Sequence, residues 1–458
     1  MLTIIALTVL GVVILAEGML GKKSWHLPTI LVGLLVALVL ALYGWNRNLH
    51  YYNSMLVVDN TSIAFSSVLI FTTFIIFMFA GHYYKDVVRP LDDIYAILIF
   101  ALAGSVMMTN FGNLIILFLG IETLSIALYV LAGSHKEAIT SNEATLKYFL
   151  MGSFLSGFLL FGIALLYGAS GSLNMDEISR YTLREAGHLS PIFRTGLFLV
   201  IIGLAFKIAI VPFHFWAPDV YEGTPTLLTA FMATVVKVAS IVALFRLFSN
   251  CFSSIREIWE PTLWILAVLT ILVGNFTGIY QPNLKRMLAY SSISHSGYMM
   301  LAVLAFSARS SGSLLLYAAA YSVATVTAFG ILILIRGAKG NDLYTSFEGI
   351  AKKNPLEAVC LTIALLSLTG IPPLAGFMAK YYLFTTALEQ GYLWLVILAV
   401  SGSAISVAYY FKPIVAMYLK EGDGIKLEAG FAFKTHLIFL TILTLVLGLL
   451  PVFLINLL

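Results

Sequence analysis

The sequence predicts an all-α polytopic membrane protein of about fourteen spanning helices, with two inverted five-helix repeats that each contain a broken helix. Three observations predict it. Sixty per cent of the 458 residues are apolar and only ten per cent are charged, and mean hydropathy is +0.97, whereas a water-soluble domain carries roughly a quarter of its residues charged. The apolar residues come in runs of the length a spanning helix needs, about 17–25 residues. Two of those runs are interrupted by prolines, and each interruption has a lysine beside it.

The runs fall at 2–19, 27–45, 62–83, 91–109, 112–132, 145–169, 193–211, 225–249, 260–280, 284–306, 312–336, 355–389, 391–418 and 435–457. None alternates with the two-residue period of a barrel strand. The first lacks a basic residue ahead of its core and is followed by Lys22 and Lys23, so it reads as a retained span, not a secretory leader. The twelfth is too long for one helix. The connection GSLNMDEISRYTLREAGHLSPIFR reads as a short amphipathic element outside the bilayer. Spans 4–8 and 9–13 form the expected repeats, giving an N-terminal block (1–90), a first repeat (91–250), a second repeat (260–418) and a last span (435–457).

Sidedness follows from the basic residues. Connections after odd-numbered spans hold sixteen Lys and Arg: 22, 23, 85, 89, 136, 147, 285, 286, 336, 339, 352, 353, 412, 420, 426 and 434. Those after even-numbered spans hold seven, at 47, 180, 184, 194, 246, 256 and 309. The odd connections are therefore cytoplasmic and both termini lie on the outer side. Lys285 and Arg286 read as an interfacial anchor for span ten, and Glu143 with Lys147 as a surface helix pair.

Three of the 26 Lys and Arg residues remain, Lys207, Lys237 and Lys380, and each lies inside a span. A lysine at mid-membrane costs about 2.5–3.5 kcal/mol on insertion scales. Of 22 acidic residues only Glu122 is well inside a span, while Glu17, Glu357 and Glu389 lie near span ends. Three lysines and a glutamate at similar depth call for a shared hydrated track. Polar stripes accompany them: Glu122, Ser125 and Tyr129 on span five, Thr229, Ala233, Lys237 and Ser240 on span eight, and Ser291, His295 and Tyr298 on span ten. Serines in such stripes equally serve as helix–helix glue, and His295 fits either a proton relay or a buried hydrogen-bonding residue.

Pro212 and Pro218 follow Lys207, and Gly370, Pro372 and Pro373 precede Lys380. Proline removes an amide donor and opens the helix, and open backbone at membrane depth is tolerated only in packed protein or along a wet cavity. Broken helices five spans apart mark inverted-repeat transporters. His214, Trp216, Asp219 and Glu222 decorate the connection after the first break and read as residues that fix it. Cys251 and Cys360 are too few for an iron–sulfur cluster, and the net charge of +4 gives no reason to expect nucleic acid. No dinucleotide or phosphate-loop fingerprint is present.

GLAFKIAIVPFHFWAPDVYEGTPTLLTAFMATVVKVA (203–239), NFTGIYQPNLKRMLAYSSISHSGYMMLAVLA (275–305) and GIPPLAGFMAKYYLF (370–384) resemble the N subunit of bacterial respiratory complex I, the proton-translocating NADH:quinone oxidoreductase. The resemblance covers nearly the whole chain. The related M and L subunits share these motifs more loosely. M carries a glutamate where Lys380 stands, and L carries a long lateral helix where this chain ends soon after span fourteen.

The resemblance implies proton-transfer roles. Glu122 is the acidic partner on span five, and Lys207 its lysine on broken span seven. Lys237 is the connecting lysine of span eight, His295 a relay position, and Lys380 the outlet lysine on broken span twelve. A Glu122–Lys207 ion pair would favour the charged lysine. The implied setting is a bacterial inner membrane, with flavin and iron–sulfur clusters in partner subunits and none in this chain, and with quinone bound elsewhere. The implied partners are the antiporter-like M and L subunits and the small K, J and A subunits. A subunit of a multi-subunit cation/proton antiporter is the alternative reading, because it shares the fold and similar charged positions.

Overall fold

The computed structural model describes residues 1–21, 23–87, 90–422 and 424–458. Lys22 and Arg89 of the charge tally lie outside the described residues. The chain begins with two apolar helices, α1 (Leu2–Met19) and α2 (His26–Leu42). Glu17, near the end of α1, meets His26 Nδ1 at 3.2 Å and accepts from Thr29 at 2.7 Å. A short hairpin of β1 (Leu49–Tyr51) and β2 (Leu56–Val58) follows, pairing Leu49 with Val58. Strands of three residues are too short to leave a periodic signal in the sequence.

The helix α3 (Asn60–Tyr83) is started by Asp59, whose Oδ1 accepts from Ser62 N at 2.7 Å. Asp92 and Asp93 open α4 (Asp92–Asn110), where acidic residues complement the helix dipole. Asn113 caps α5 (Leu114–Ala132) through Ile115 N. The next helix, α6 (Ile139–Ser170), has 32 residues. At 1.5 Å per residue it is about 48 Å long, well beyond a hydrocarbon core of about 30 Å. Its first turns accordingly carry the exposed ion pair Glu143–Lys147, 2.6 Å apart.

The amphipathic connection is α7 (Met175–Arg184), burying Met175, Ile178 and Thr182 at helical spacing. After it come α8 (Pro191–Ile208), α9 (Trp216–Gly223), α10 (Thr226–Phe231) and α11 (Lys237–Asn250). A π-helical turn, Met232–Val236, joins the last two into one span, Thr226–Asn250, which is buried from Thr226 to Phe248. The wide turn inserts an extra residue into the register, so the even helical spacing assumed for Thr229, Ala233, Lys237 and Ser240 does not hold.

The chain continues with α12 (Arg256–Ile279), α13 (Leu284–Ala305), α14 (Ser310–Lys339), the four-residue α15 (Ile350–Lys353), α16 (Pro355–Thr369), α17 (Ala375–Glu389), α18 (Leu393–Leu419), α19 (Phe431–Leu449) and the short α20 (Val452–Ile455). Among the described residues eleven helices are long and apolar enough to cross a membrane, and α2 and α16 are shorter apolar helices. Each predicted span overlaps a helix, and the fourteenth runs past the end of α19 at Leu449 into the short α20. The twelfth run is split as expected into α16 and α17. Pro212 lies in the first break, but Pro218 lies in the first turn of α9, where its missing N–H would be unpaired in any case. Pro218 starts a helix, and does not open one.

The chain divides into two compact units. One comprises Met1–Phe74, Val88–Trp216 and Val235–Leu266; the other comprises Ile75–Val87, Ala217–Thr234 and Ala267–Leu458. Within the first, α4 packs on α5 and α6 on α8. Both crossings are glycine-to-glycine: a Cβ on Gly120 would lie 2.9 Å from Gly104 O, and one on Gly162 2.8 Å from Gly196 O. Small residues allow such backbone contact where lipid supplies no hydrophobic drive between helices. Within the second unit, α14 is surrounded by α10, α13, α16, α17 and α19, and its residues from Gly312 to Ile335 are buried with the single exception of Ala319. Large apolar side chains such as Val9, Val32, Ile126, Phe154, Trp394 and Ile442 face outward, as a lipid solvent requires.

Arg246, which the charge tally places in a connection, is in α11 and only 4% exposed. Two of its nitrogens meet the two Asp59 oxygens at 3.0 and 2.7 Å, and Nε donates to Phe111 O at 3.1 Å. An acidic partner at the head of α3 makes that burial tolerable.

Candidate functional site

Lys207 stands in the last turn of α8 and is 4% exposed. The helix ends just beyond it in a Schellman arrangement: Ile210 N bonds to Ala205 O at 2.9 Å and Ala209 N to Phe206 O at 3.0 Å. Ala209 is consequently left-handed, at φ 58°. Lys207 Nζ crosses to α5 and donates to Ser125 Oγ at 2.6 Å and to Tyr129 OH at 3.4 Å. Ser125 in turn donates to Ile121 O, leaving its lone pairs to the ammonium.

The Glu122–Lys207 ion pair expected from the sequence is not formed. Lys207 directs its hydrogen bonds to the two hydroxyls, and the buried Oε1 of Glu122 has no hydrogen-bond partner. The helical spacing of Glu122, Ser125 and Tyr129 explains this, because it presents hydroxyls on the same face as the carboxylate. The break is fastened from the other side. Trp216 Nε1 donates to Phe206 O at 3.1 Å, and the indole stacks on Tyr148 with centroids 4.6 Å apart. Tyr148 meets Tyr129 edge-on at 4.8 Å. Lys237, in the same unit, follows the π turn directly and is 1% exposed.

In the second unit, His295 is held at both ring nitrogens, with Nδ1 2.7 Å from Tyr317 OH and Nε2 3.2 Å from Tyr410 OH. Ser291, one turn earlier, shares Tyr410 OH. Tyr298 receives Asn275 Nδ2 at 2.9 Å, and Tyr409 donates to Asn275 Oδ1 at 3.0 Å. The span-ten stripe is therefore a continuous polar face against α12, α14 and α18.

Lys380 is buried on α17, the second half of the broken run, and its Nζ donates to Leu368 O, Thr369 O and Ser403 Oγ at 2.9, 2.8 and 2.8 Å. The first two are terminal carbonyls of α16, so the ammonium caps a helix end where the dipole favours a cation. A cavity of about 10 Å³, room for one water, is lined by His295, Tyr317, Ser367 and Leu368. A larger cavity of about 440 Å³ reaches Lys380 along Gly370, Tyr381, Ser403 and Val407. His295 and Lys380 thus each line a cavity that touches the break between α16 and α17.

Lys285 and Arg286 differ from the interfacial anchor expected. Lys285 is fully buried and donates to Glu222 O at 3.1 Å and to Thr224 O. Arg286 NH1 binds Asp219 at 2.8 Å and Glu222 at 2.6 Å. Main-chain carbonyls and two carboxylates of the α9 region compensate the charges, so Asp219 and Glu222 fix this connection as their position suggested. Glu357 and Glu389 are also paired, with Lys434 at 3.5 Å and Arg309 at 3.0 Å. Among the described residues no cluster of three His, Cys, Asp or Glu is placed to hold a metal.

Local features recur in the two units. Asn113 and Asn283 cap α5 and α13. Asn113 bridges Asn174, and Asn283 bridges Leu343, each three residues after a left-handed glycine, Gly171 or Gly340. Next, α8 and α16 each begin with proline and end in a Schellman motif, at Ala209 and Gly370. Cis peptide bonds follow at Val211–Pro212 and Pro372–Pro373. The lysines break the match, because Lys207 precedes its break and Lys380 follows its own.

Sequence reasoning missed Tyr317, Tyr410 and Ser403. They are ordinary polar residues in apolar spans, with no spacing that ties them to a distant lysine or histidine.

Buried lysines at interrupted helices within a polytopic bundle define an ion-translocating class of membrane protein. Residues 112–406 match the family described as NADH:quinone oxidoreductase/Mrp antiporter, TM. NADH-quinone oxidoreductase subunit N of Flavobacterium johnsoniae is 44% identical, with 100% of this chain and 99% of that protein covered, and that of Cytophaga hutchinsonii is 41% identical, with 98% and 97% covered. Respiratory complex I from Thermus thermophilus contains a chain with TM-score 0.84 and 32% identity, covering 99% of this chain and 98% of that one. The Mrp complex of Dietzia sp. DQ12-45-1b has the same fold at TM-score 0.89 and 20% identity, covering 99% and 95%. The chain belongs to the NADH-quinone oxidoreductase subunit N family.

Proposed function

We infer that this chain is the proton-translocating N-type membrane subunit of a bacterial NADH:quinone oxidoreductase, and that Glu122, Lys207, Lys237, His295 and Lys380 carry the protons. The observation that carries the reading is the pair of buried lysines at two helix breaks, the first held by hydroxyls beside a buried carboxylate oxygen that lacks a partner. Electron transfer, with flavin and iron–sulfur clusters, belongs to partner subunits. The membrane neighbours are the antiporter-like M and L and the small K, J and A subunits. The recurring caps, bridges and breaks support reading 91–250 and 260–418 as inverted repeats, between the N-terminal block 1–90 and the last span at 435–457. The excess of basic residues supports cytoplasmic odd connections and both termini on the periplasmic side of the inner membrane.

The mechanism follows from charge. A carboxylate on the Ser125 face of α5 favours the protonated lysine electrostatically, and its neutralisation or withdrawal frees that proton for Lys237. Moving one charge against 100 mV costs about 2.3 kcal/mol, within reach of a carboxylate moved in or out at short range. Lys207→Ala and Glu122→Ala, each in the assembled oxidoreductase in inverted membrane vesicles, should abolish most NADH-driven acidification. Undiminished pumping in an assembled variant refutes the assignment.

A further inference from the structure

We propose that Tyr321 of α14 and Tyr221 of α9 are positioning residues that clamp the π-helical turn Met232–Val236 open, and so set the direction in which Lys237 leaves its helix. The proposal rests on the proton-transfer reading of Lys237 and adds the device that aims it. Tyr321 OH donates to Ala233 O at 2.9 Å, and Tyr221 OH donates to Met232 O at 3.3 Å. Both phenols are buried, and both carbonyls belong to the turn.

The register explains why this turn takes side-chain donors. In an α-helix Ala233 O would accept from the N–H of Lys237, four residues on. The wider register of a π turn gives that N–H to Met232, five residues back. Ala233 O is then left without a helical partner. A buried carbonyl lacking a donor destabilises the helix, and the Tyr321 hydroxyl supplies the donor. Without that hydroxyl the chain recovers the bond by drawing the Lys237 amide back to Ala233 O. One residue of register is a rotation of about 100° and a shift of about 1.5 Å.

The rotation falls on Lys237 because α10, ahead of the turn, is pinned. Tyr83 OH accepts from Thr226 N at 3.2 Å, Thr229 Oγ1 donates to Tyr221 O at 3.1 Å, and Lys285 Nζ donates to Thr224 O. Tyr321 also meets the His295 site. Its ring lies 4.9 Å from the imidazole, and it lines the same one-water cavity. Tyr221 does not line that cavity, which makes it the cleaner probe of the turn.

The test uses the intact oxidoreductase in inverted membrane vesicles, with NADH-driven acidification followed by a pH-sensitive dye across a range of pH. Tyr321→Phe and Tyr221→Phe each keep the ring and remove only the hydroxyl. At unchanged subunit content Tyr321→Phe should slow acidification about tenfold, the scale on which a buried carbonyl misses its donor. Tyr221→Phe loses a longer bond and should slow it about twofold. Both should also move the pH of half-maximal acidification, because a re-aimed Lys237 titrates in new surroundings. A merely structural loss lowers the rate alike at every pH. Wild-type rate and profile in Tyr321→Phe overturn the clamp. A fall in both variants with an unmoved profile overturns it too, as does an effect of Tyr321→Phe with none of Tyr221→Phe, which would trace to His295. If Tyr321→Phe fails to assemble, Tyr221→Phe decides by the same criteria. Lys237→Ala separates the two readings. If it pumps normally, the role of Lys237 fails; if it is inactive while both tyrosine variants behave as wild type, only the clamp fails.

Discussion

Gly152→Ala adds one methyl group at the point where α6 supports Tyr129, and its consequences can be worked through. The new Cβ would stand 2.0 Å from the hydroxyl oxygen and 2.7 Å from Cζ. Ordinary non-bonded contact begins near 3.4 Å, so the phenol has to retreat by roughly 1.4 Å. Its hydrogen bond from Lys207 is already 3.4 Å long and does not survive that retreat. Tyr148 and Phe149, at 4.8 and 5.7 Å between centroids, restrict where the ring can go. Overpacking of this kind costs about 1–3 kcal/mol, while replacing a helical glycine by alanine returns about 0.5–1 kcal/mol. The clash wins, with a net destabilisation of about 1 kcal/mol. Thermal denaturation of the purified complex measures the stability, and NADH-driven acidification measures the function, which should fall with it. In a Tyr129→Ala background the clash is absent, so Gly152→Ala should there stabilise by about 0.5–1 kcal/mol. The same destabilisation in both backgrounds, or wild-type pumping in Gly152→Ala, would refute the seating of Tyr129.

Asp59→Ala leaves the Arg246 guanidinium buried with only Phe111 O and removes the cap of α3. Allowing for the 29% exposure of the Asp59 side chain, the loss should be about 2–4 kcal/mol, read as a lowered denaturation temperature, with Asp59→Asn milder. The two Schellman positions should respond oppositely. Ala209→Gly relieves a left-handed alanine and should gain up to about 1 kcal/mol. Gly370→Ala adds a Cβ at φ +92°, 3.0 Å from Lys380 Cδ, and should cost at least about 1 kcal/mol and disturb pumping. Lys147→Ala removes an exposed pair and should change stability by less than about 0.5 kcal/mol; a larger loss in the same melt would show that the pair is structural.

Much of the candidate site was legible because a charge in a hydrocarbon solvent is costly wherever the chain folds. That single fact singled out Glu122, Lys207, Lys237 and Lys380 in a sequence with few charges. Proline placement exposed the breaks for a similarly local reason, since a missing amide donor cannot be repaired by tertiary contacts. The role of Pro218 was not legible in this way, because a proline that interrupts a helix and one that begins it look alike until the helix boundary is known.

The amino-acid sequence by itself determined the solvent, the helical class, the positions of the breaks and the residue types held at depth, because each is a property of a segment and its length. Tertiary structure alone decided the partners. It gave Lys207 to two hydroxyls and not to Glu122, Lys380 to the carbonyls of α16, His295 to tyrosines on α14 and α18, and Arg246 to Asp59 at a separation of 187 residues. The physical reason is range. Hydropathy and proline act within a turn or a span, whereas a hydrogen bond requires two groups within about 3 Å, and only the packing of the helices sets which groups those are.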